Sequence, residues 1–156
     1  MKKVLSWGEP VIEVGILEDD DTVKNWIKLP ESVRDSSQLT TEPGETTDAL
    51  DEGGAIIDQL QEASKYTFET TLFIKEGDEK PIEDKNGVID HRVSVRWFHK
   101  SRKLKGRVLD KASVSVVETW TRGEGGRLRY VFVGLSPKTG DILKSYQPPA
   151  DPSGGG

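Results

Sequence analysis

Lys65 to Lys75 reads KYTFETTLFIK, and its alternation decides the fold class. Tyr66, Phe68, Leu72 and Ile74 fall on one face at period two, with Thr70 between them. Lys65, Thr67, Glu69 and Thr71 fall on the other, joined by Phe73. Side chains of a strand point alternately to opposite sides, so the pattern predicts a long strand with one buried face. Its polar face must meet water or a partner.

Towards the C-terminus, Asn86-Gly87 supplies a tight-turn signal before Val88 and Ile89. Arg92 to Phe98 (RVSVRWF) alternates again, Val93, Val95 and Trp97 against Arg92, Ser94 and Arg96. His99 to Arg107 (HKSRKLKGR) reads as a basic loop. Ala112 to Thr121 predicts another strand, with a bulge where Val116 and Val117 break the alternation. The GEGG of Gly123–Gly126 then closes a hairpin onto Arg127–Leu135, with Leu128, Tyr130 and Phe132 facing one way. Ser136 to Tyr146 makes a turn and one short helix or strand, and 148–156 has the composition of a flexible tail.

Towards the N-terminus, Ile56 to Ala63 suits a helical turn or a strand, and its glycine and threonine flanks favour the strand. Val11 to Leu17 is a first strand with Ile12, Val14 and Ile16 on one face, and Glu18–Asp21 ends it as an acidic turn. Lys24 to Leu29 is a short second strand stopped by Pro30. Pro30 to Leu50 is polar and Thr/Glu-rich without a clear apolar period. Such a loop inside a compact domain is functional or disordered.

The chain has 156 residues, one domain of ordinary size, which we place at 1–147. Val, Ile and Thr together number 34 against five Ala, a balance that favours strands over helices. The expected class is mainly β, a sandwich or barrel with at most one or two short helices and a long polar loop. The longest apolar stretch, Tyr130 to Leu135, is far short of the roughly 20 residues of a membrane helix. Glu9 and Glu13 interrupt any apolar signal core behind Lys2 and Lys3, so neither a secretory signal nor a membrane anchor is expected. Cysteine is absent, which excludes disulfides, thiolate metal sites and cysteine nucleophiles. Trp7, Trp26, Trp97 and Trp120 share no spacing, so no repeat is visible.

Charge is distributed unevenly behind a net of −5. Residues 1–62 carry 15 acids against 5 bases, and residues 63–156 carry 12 acids against 17 bases. A solvated surface accounts for this, and so does a molecule whose two parts meet complementary surfaces on neighbouring copies.

Catalytic, metal and cofactor signals are weak. His91 and His99 lie beside strand ends without a Ser, Cys or carboxylate at a recognisable spacing, and read as exposed loop residues. Asp84-Lys85-Asn86-Gly87 resembles the middle of a calcium loop, but that register places Ile82 and Val93 at positions one and twelve, neither a ligand. Asp19-Asp20-Asp21 reads as a solvated acidic turn ahead of a cation site. GEGGR joins two strands and lacks phosphate-loop spacing. The basic loop, with Lys100, Arg102, Lys103, Lys105 and Arg107, has the charge to contact phosphates, but the chain is acidic overall, with a pI near 5.2. A protein contact or an exposed loop fits it better. We expect a non-enzyme without cofactor or metal.

The layout resembles that of phage tail tube proteins, also called major tail proteins. The stretches that carry the likeness are GEPVIEVGIL, WIKLPESV, the arm TTEPGETTDALDEGGAIID, YTFETTLFIKEGDEKPI, ASVSVVETWTRGEGGRLRYVFVGLSP and KTGDILK. The resemblance covers nearly the whole chain as a pattern of elements, without an invariant signature. It implies a structural subunit of a phage or prophage tail that forms hexameric rings, stacked into a hollow tube. Double-stranded DNA passes through that tube without specific binding. Other tail proteins, such as a tape measure and a terminator, are the further partners implied. The implied location is the virion tail, and the host cytoplasm before assembly. An inter-subunit arm falls on Gln38–Ile57, with Gln38, Leu39, Thr40, Thr41, Glu42, Glu45, Asp48, Asp51, Glu52, Ile56 and Ile57 as its contact residues. Its carboxylates are expected to meet the basic loop of another ring. The alternative is a monomeric β-sandwich module that recognises a carbohydrate or a protein through Trp7, Trp26 and Trp97.

Overall fold

A computed structural model describes residues 10–74, 80–101 and 104–149. Every regular element in them is a strand: β1 (Pro10–Leu17), β2 (Val23–Lys28), β3 (Gln38–Glu42), β4 (Thr46–Leu50), β5 (Ile56–Gln61), β6 (Lys65–Phe73), β7 (Val93–His99), β8 (Gly106–Thr121), β9 (Gly125–Gly134) and β10 (Leu143–Tyr146). The mainly β class is as expected. The expectation of at most one or two short helices holds, with none among the described residues, and the terminal segment that read as helix or strand is the strand β10.

Hydrogen bonding runs along one antiparallel path, β2-β1-β7-β8-β9-β6-β3. β8 is the long member, with 16 residues. Its first half pairs with β7 and with β10, and its second half pairs with β9. One strand thus serves both layers of a sandwich. The layers meet where Phe68 of β6 stacks on Trp97 of β7, strands far apart in the path, with ring centroids 4.0 Å apart. Around that contact lie Val14, Leu72, Val93, Val95, Leu109, Tyr130 and Phe132, all buried. Each such side chain contributes about 1.5–3 kcal/mol by leaving water. Two buried polar side chains in this core are satisfied: Thr70 Oγ1 lies 2.8 Å from Ser37 Oγ, and Ser94 donates to the Leu109 carbonyl at 3.2 Å.

Alternation fails at two predicted places: Ile74, expected on the buried face of the β6 strand, lies past its end and is exposed, and β1 departs too. Ile16, expected in the core, is exposed, and Leu17 is buried. The β1–β2 register slips between Gly15 and Leu17, and such a slip re-aims side chains. The bulge expected at Val116 and Val117 is not there. β8 pairs with β9 without interruption from Ala112 to Thr121, so Val116 points into the core and Val117 outward into water.

The polar loop between Pro30 and Leu50 is also corrected. Gln38–Glu42 is a strand that pairs with β6, and Thr46–Leu50 is a strand that pairs with β5. Ile56–Ala63 is mainly the strand β5, as favoured. Gly106 and Arg107 belong to β8 and not to a loop. In the segment read as a tail, Pro148 is buried and Pro149 exposed, and 150–156 lie outside the described residues.

Candidate assembly surface

β4 and β5 form a two-stranded sheet of their own, outside the main path. A tight turn joins them. Gly54 donates to the Asp51 carbonyl at 3.0 Å, and the Asp51 side chain accepts the Ala55 amide at 2.9 Å. Gly54 sits at φ 86°, a conformation that favours glycine. Gln59 donates to the Asp48 carboxylate across the strands at 2.7 Å, and Glu62 donates its amide to the Glu45 carbonyl at the base.

Among the described residues no layer covers this hairpin. All residues of β4 and β5 are exposed, and Leu50, Ile56, Ile57 and Leu60 keep 59%, 61%, 68% and 70% of their surface in water. Its charge is one-sided. Glu42, Glu45, Asp48, Asp51, Glu52, Asp58 and Glu62 have no Lys or Arg among them, and none occurs between Arg34 and Lys65. An isolated two-stranded hairpin is marginal in water, and this one leaves its apolar side chains uncovered by the described residues.

The predicted arm therefore divides. Gln38, Leu39, Thr40, Thr41 and Glu42 lie in β3 on the body, where Leu39 packs against the core and Gln38 donates to Glu69. Glu45, Asp48, Asp51, Glu52, Ile56 and Ile57 belong to the freestanding hairpin. Leu50 and Leu60 were not singled out by sequence. Both lie on short strands with no buried face, where a period-two signal has nothing to encode.

Of the basic residues, Lys100 lies in the turn after β7 and Lys105 is exposed just before β8. Arg107 lies in β8 and donates to Ser145 Oγ at 3.1 Å. Arg102 and Lys103 lie outside the described residues. Arm and basic residues are on separate elements: the hairpin pairs with no strand of the body.

The aromatics proposed for a binding module are mostly engaged. Trp97 stacks on Phe68, and Trp26 lies under the Arg96 guanidinium at 3.7 Å. Arg96 is itself held by Glu13 at 2.7 Å and reaches Tyr146 at 4.6 Å. Trp7 lies outside the described residues. The exposed one is Trp120, near the end of β8.

Neither histidine is a fully exposed loop residue. His91 is half-buried, with its Nε2 enclosed and without an acceptor or donor, and His99 closes β7 with Nδ1 2.9 Å from Ser101 Oγ. In the acidic turn, Asp20 lies 2.6 Å from the Thr22 hydroxyl, which holds its carboxyl below the ordinary value. Among the described residues no group of three or more His, Asp and Glu is placed to hold a metal ion. Asp84-Lys85-Asn86-Gly87 is the tight turn expected of it, with Asn86 and Gly87 both at positive φ. Asp84 accepts the Gly87 amide and pairs with Lys80 at 2.8 Å.

A cleft of about 430 Å³ opens beside the end of β6, floored by Leu72 and Leu128 and bordered by Lys28, Lys80 and Glu118. No described helix is long and apolar enough to cross a membrane. No protein-family model matches this chain, and no curated protein matches it either.

Proposed function

We propose that this chain is a self-assembling structural subunit of a phage or prophage tail, forming hexameric rings that stack into a tube for DNA. One observation carries the reading: a freestanding hairpin that exposes four large aliphatics and is flanked and crossed by seven carboxylates without a base. A subunit can bury such a segment against the next copy and gain stability from association. Among the described residues, the outer edges of β2 and β3, at the two ends of the path, pair with no further strand and suit strands of neighbouring copies. An acidic wall suits a DNA conduit, because like charge keeps phosphates from adhering. The resemblance in element layout supplies the tail itself.

Light scattering over a range of concentrations, with electron microscopy of the same samples and of native particles, tests the reading. Rings or tubes are expected. A stable monomer at every concentration, together with absence of the chain from tail particles, would refute it. A second reading has one observation in its favour: exposed Trp120 and the nearby cleft suit a monomeric binding module. Concentration-independent monomers that bind a glycan or peptide array would favour it.

A further inference from the structure

Large apolar side chains are left in water chiefly at two places on the described surface, with Ile16 and Val88 outside them. The first is the β4–β5 hairpin. The second is the end of the β6–β9–β8 sheet where Phe73, Arg127 and Thr119 stand in register, beside the row Thr71, Arg129 and Val117. On the opposite face of the same end, Ile74 donates its amide to Gly126, which pairs with Trp120. Phe73 and Ile74 are each 39% exposed, Val117 50% and Trp120 74%.

We infer that the β4–β5 hairpin of one copy docks on the free β6–β9–β8 end of a second copy, with Trp120 as the apolar anchor. The inference rests on the self-assembly reading and names its receiving surface. Charge chooses the partner. The hairpin is acidic throughout, whereas Val117 to Val133 contains three bases, Arg122, Arg127 and Arg129, against two carboxylates, Glu118 and Glu124. Arg127 holds Glu124 loosely, at 3.9 Å. Arg129 pairs with Glu69 yet keeps 53% of its side chain exposed, so it can face an incoming carboxylate. The basic residues Lys100, Lys105 and Arg107 offer charge too, but no described residue beside them exposes a large apolar side chain. They match half of what the hairpin presents; the β8–β9 end matches both halves. Donor and acceptor are different patches of one chain, so the contact is head-to-tail and propagates into a ring or a stack.

The absence of cysteine makes a clean test possible. Gln59→Cys chain is mixed with Thr119→Cys chain, or with Lys105→Cys chain as the competing arm, and treated with a short bis-maleimide. The 59–119 product is expected to form at least tenfold faster than the 59–105 product. Adding Trp120→Ser to the Thr119→Cys chain should reduce it about tenfold, equivalent to roughly 1.4 kcal/mol of contact. Circular dichroism and a urea midpoint confirm that this exposed substitution leaves the chain folded. Faster 59–105 linkage, dominant 59–59 linkage or no mixed product overturns the docking. Light scattering on the unsubstituted chain separates the two readings. Rings without 59–119 linkage defeat the docking alone, and 59–119 linkage without rings or tubes defeats the tail reading alone. Monomers without linkage, together with absence of the chain from native tail particles, defeat both.

Discussion

The β4–β5 and β8–β9 hairpins share a construction and differ in cover. Each is an antiparallel pair with a glycine at positive φ near its turn. In β8–β9, however, Val114, Val116, Leu128, Tyr130 and Phe132 are buried, because a second layer lies over one face. In β4–β5 no described residue lies over either face. The difference teaches where stability resides: strand pairing is common to both, and burial belongs to one. Removing a side chain should therefore cost folding energy in β8–β9 and association energy in β4–β5.

Phe132→Ala is the strongest way to break that contrast. It should cost about 3–5 kcal/mol of folding stability, read from the urea midpoint of the monomer. Leu60→Ala should stay within about 0.5 kcal/mol in the same measurement. A comparable loss from both would mean that the hairpin packs on the body of its own chain. Replacing Thr46–Gln61 with a short Gly-Ser linker comes next. The far-ultraviolet spectrum should keep its β character and the urea midpoint should stay near that of the intact chain, while assembly by light scattering is lost. A body that unfolds would show that the hairpin is part of the folding unit.

Tyr130→Phe sharpens the covered side at smaller scale. Its hydroxyl donates to the Ile82 carbonyl at 3.1 Å, so removal should cost about 1 kcal/mol by leaving a buried acceptor unpaired. Burial pushes this phenol above its ordinary value. A raised folded pKa means stability that is complete below the unfolded value of about 10 and is lost as pH rises through the folded one. The alkaline loss should diminish in the Phe variant. The smallest effect is at the Asp84 turn, whose Val88 bridges to Ser115 of β8. Lys80, and then the Gly87 amide, hold the Asp84 carboxyl below its ordinary value. Its contribution is present above the unfolded value of about 3.9 and is lost as pH falls through the lower folded one. Asp84→Asn should flatten the acid side of the stability profile in urea titrations between pH 5 and pH 2, without changing assembly at neutral pH.

Sequence revealed the covered strands because burial writes a period. Phe68 and Leu72, Val93 and Val95, and Leu128, Tyr130 and Phe132 all alternate, and all are in the core. It missed β3 and β4 for the converse reason. Most residues of QLTTE and every residue of TTDAL face water, so polar side chains suit both faces and the stretch resembles a loop. The early start of β8 was hidden by charge, since Arg107, Asp110 and Lys111 interrupt any apolar pattern there. On the proposed assembly surface, the acidic half was legible as composition. Trp120, Phe73 and Val117 were not, because only the register of β6, β9 and β8 brings them to one end.

The one-sided charge of residues 35–64 also sets how proteases see the chain. An enzyme that cleaves after Lys or Arg finds no bond to cut from Asp35 to Ser64, although the hairpin is the most exposed element. One that cleaves after Glu finds Glu42, Glu45, Glu52 and Glu62, all within or beside it. Digestion by the first kind would leave the protrusion whole on an otherwise nicked subunit. Cleavage by the second would cut it away first, and would slow wherever a neighbouring copy stands in front of those bonds.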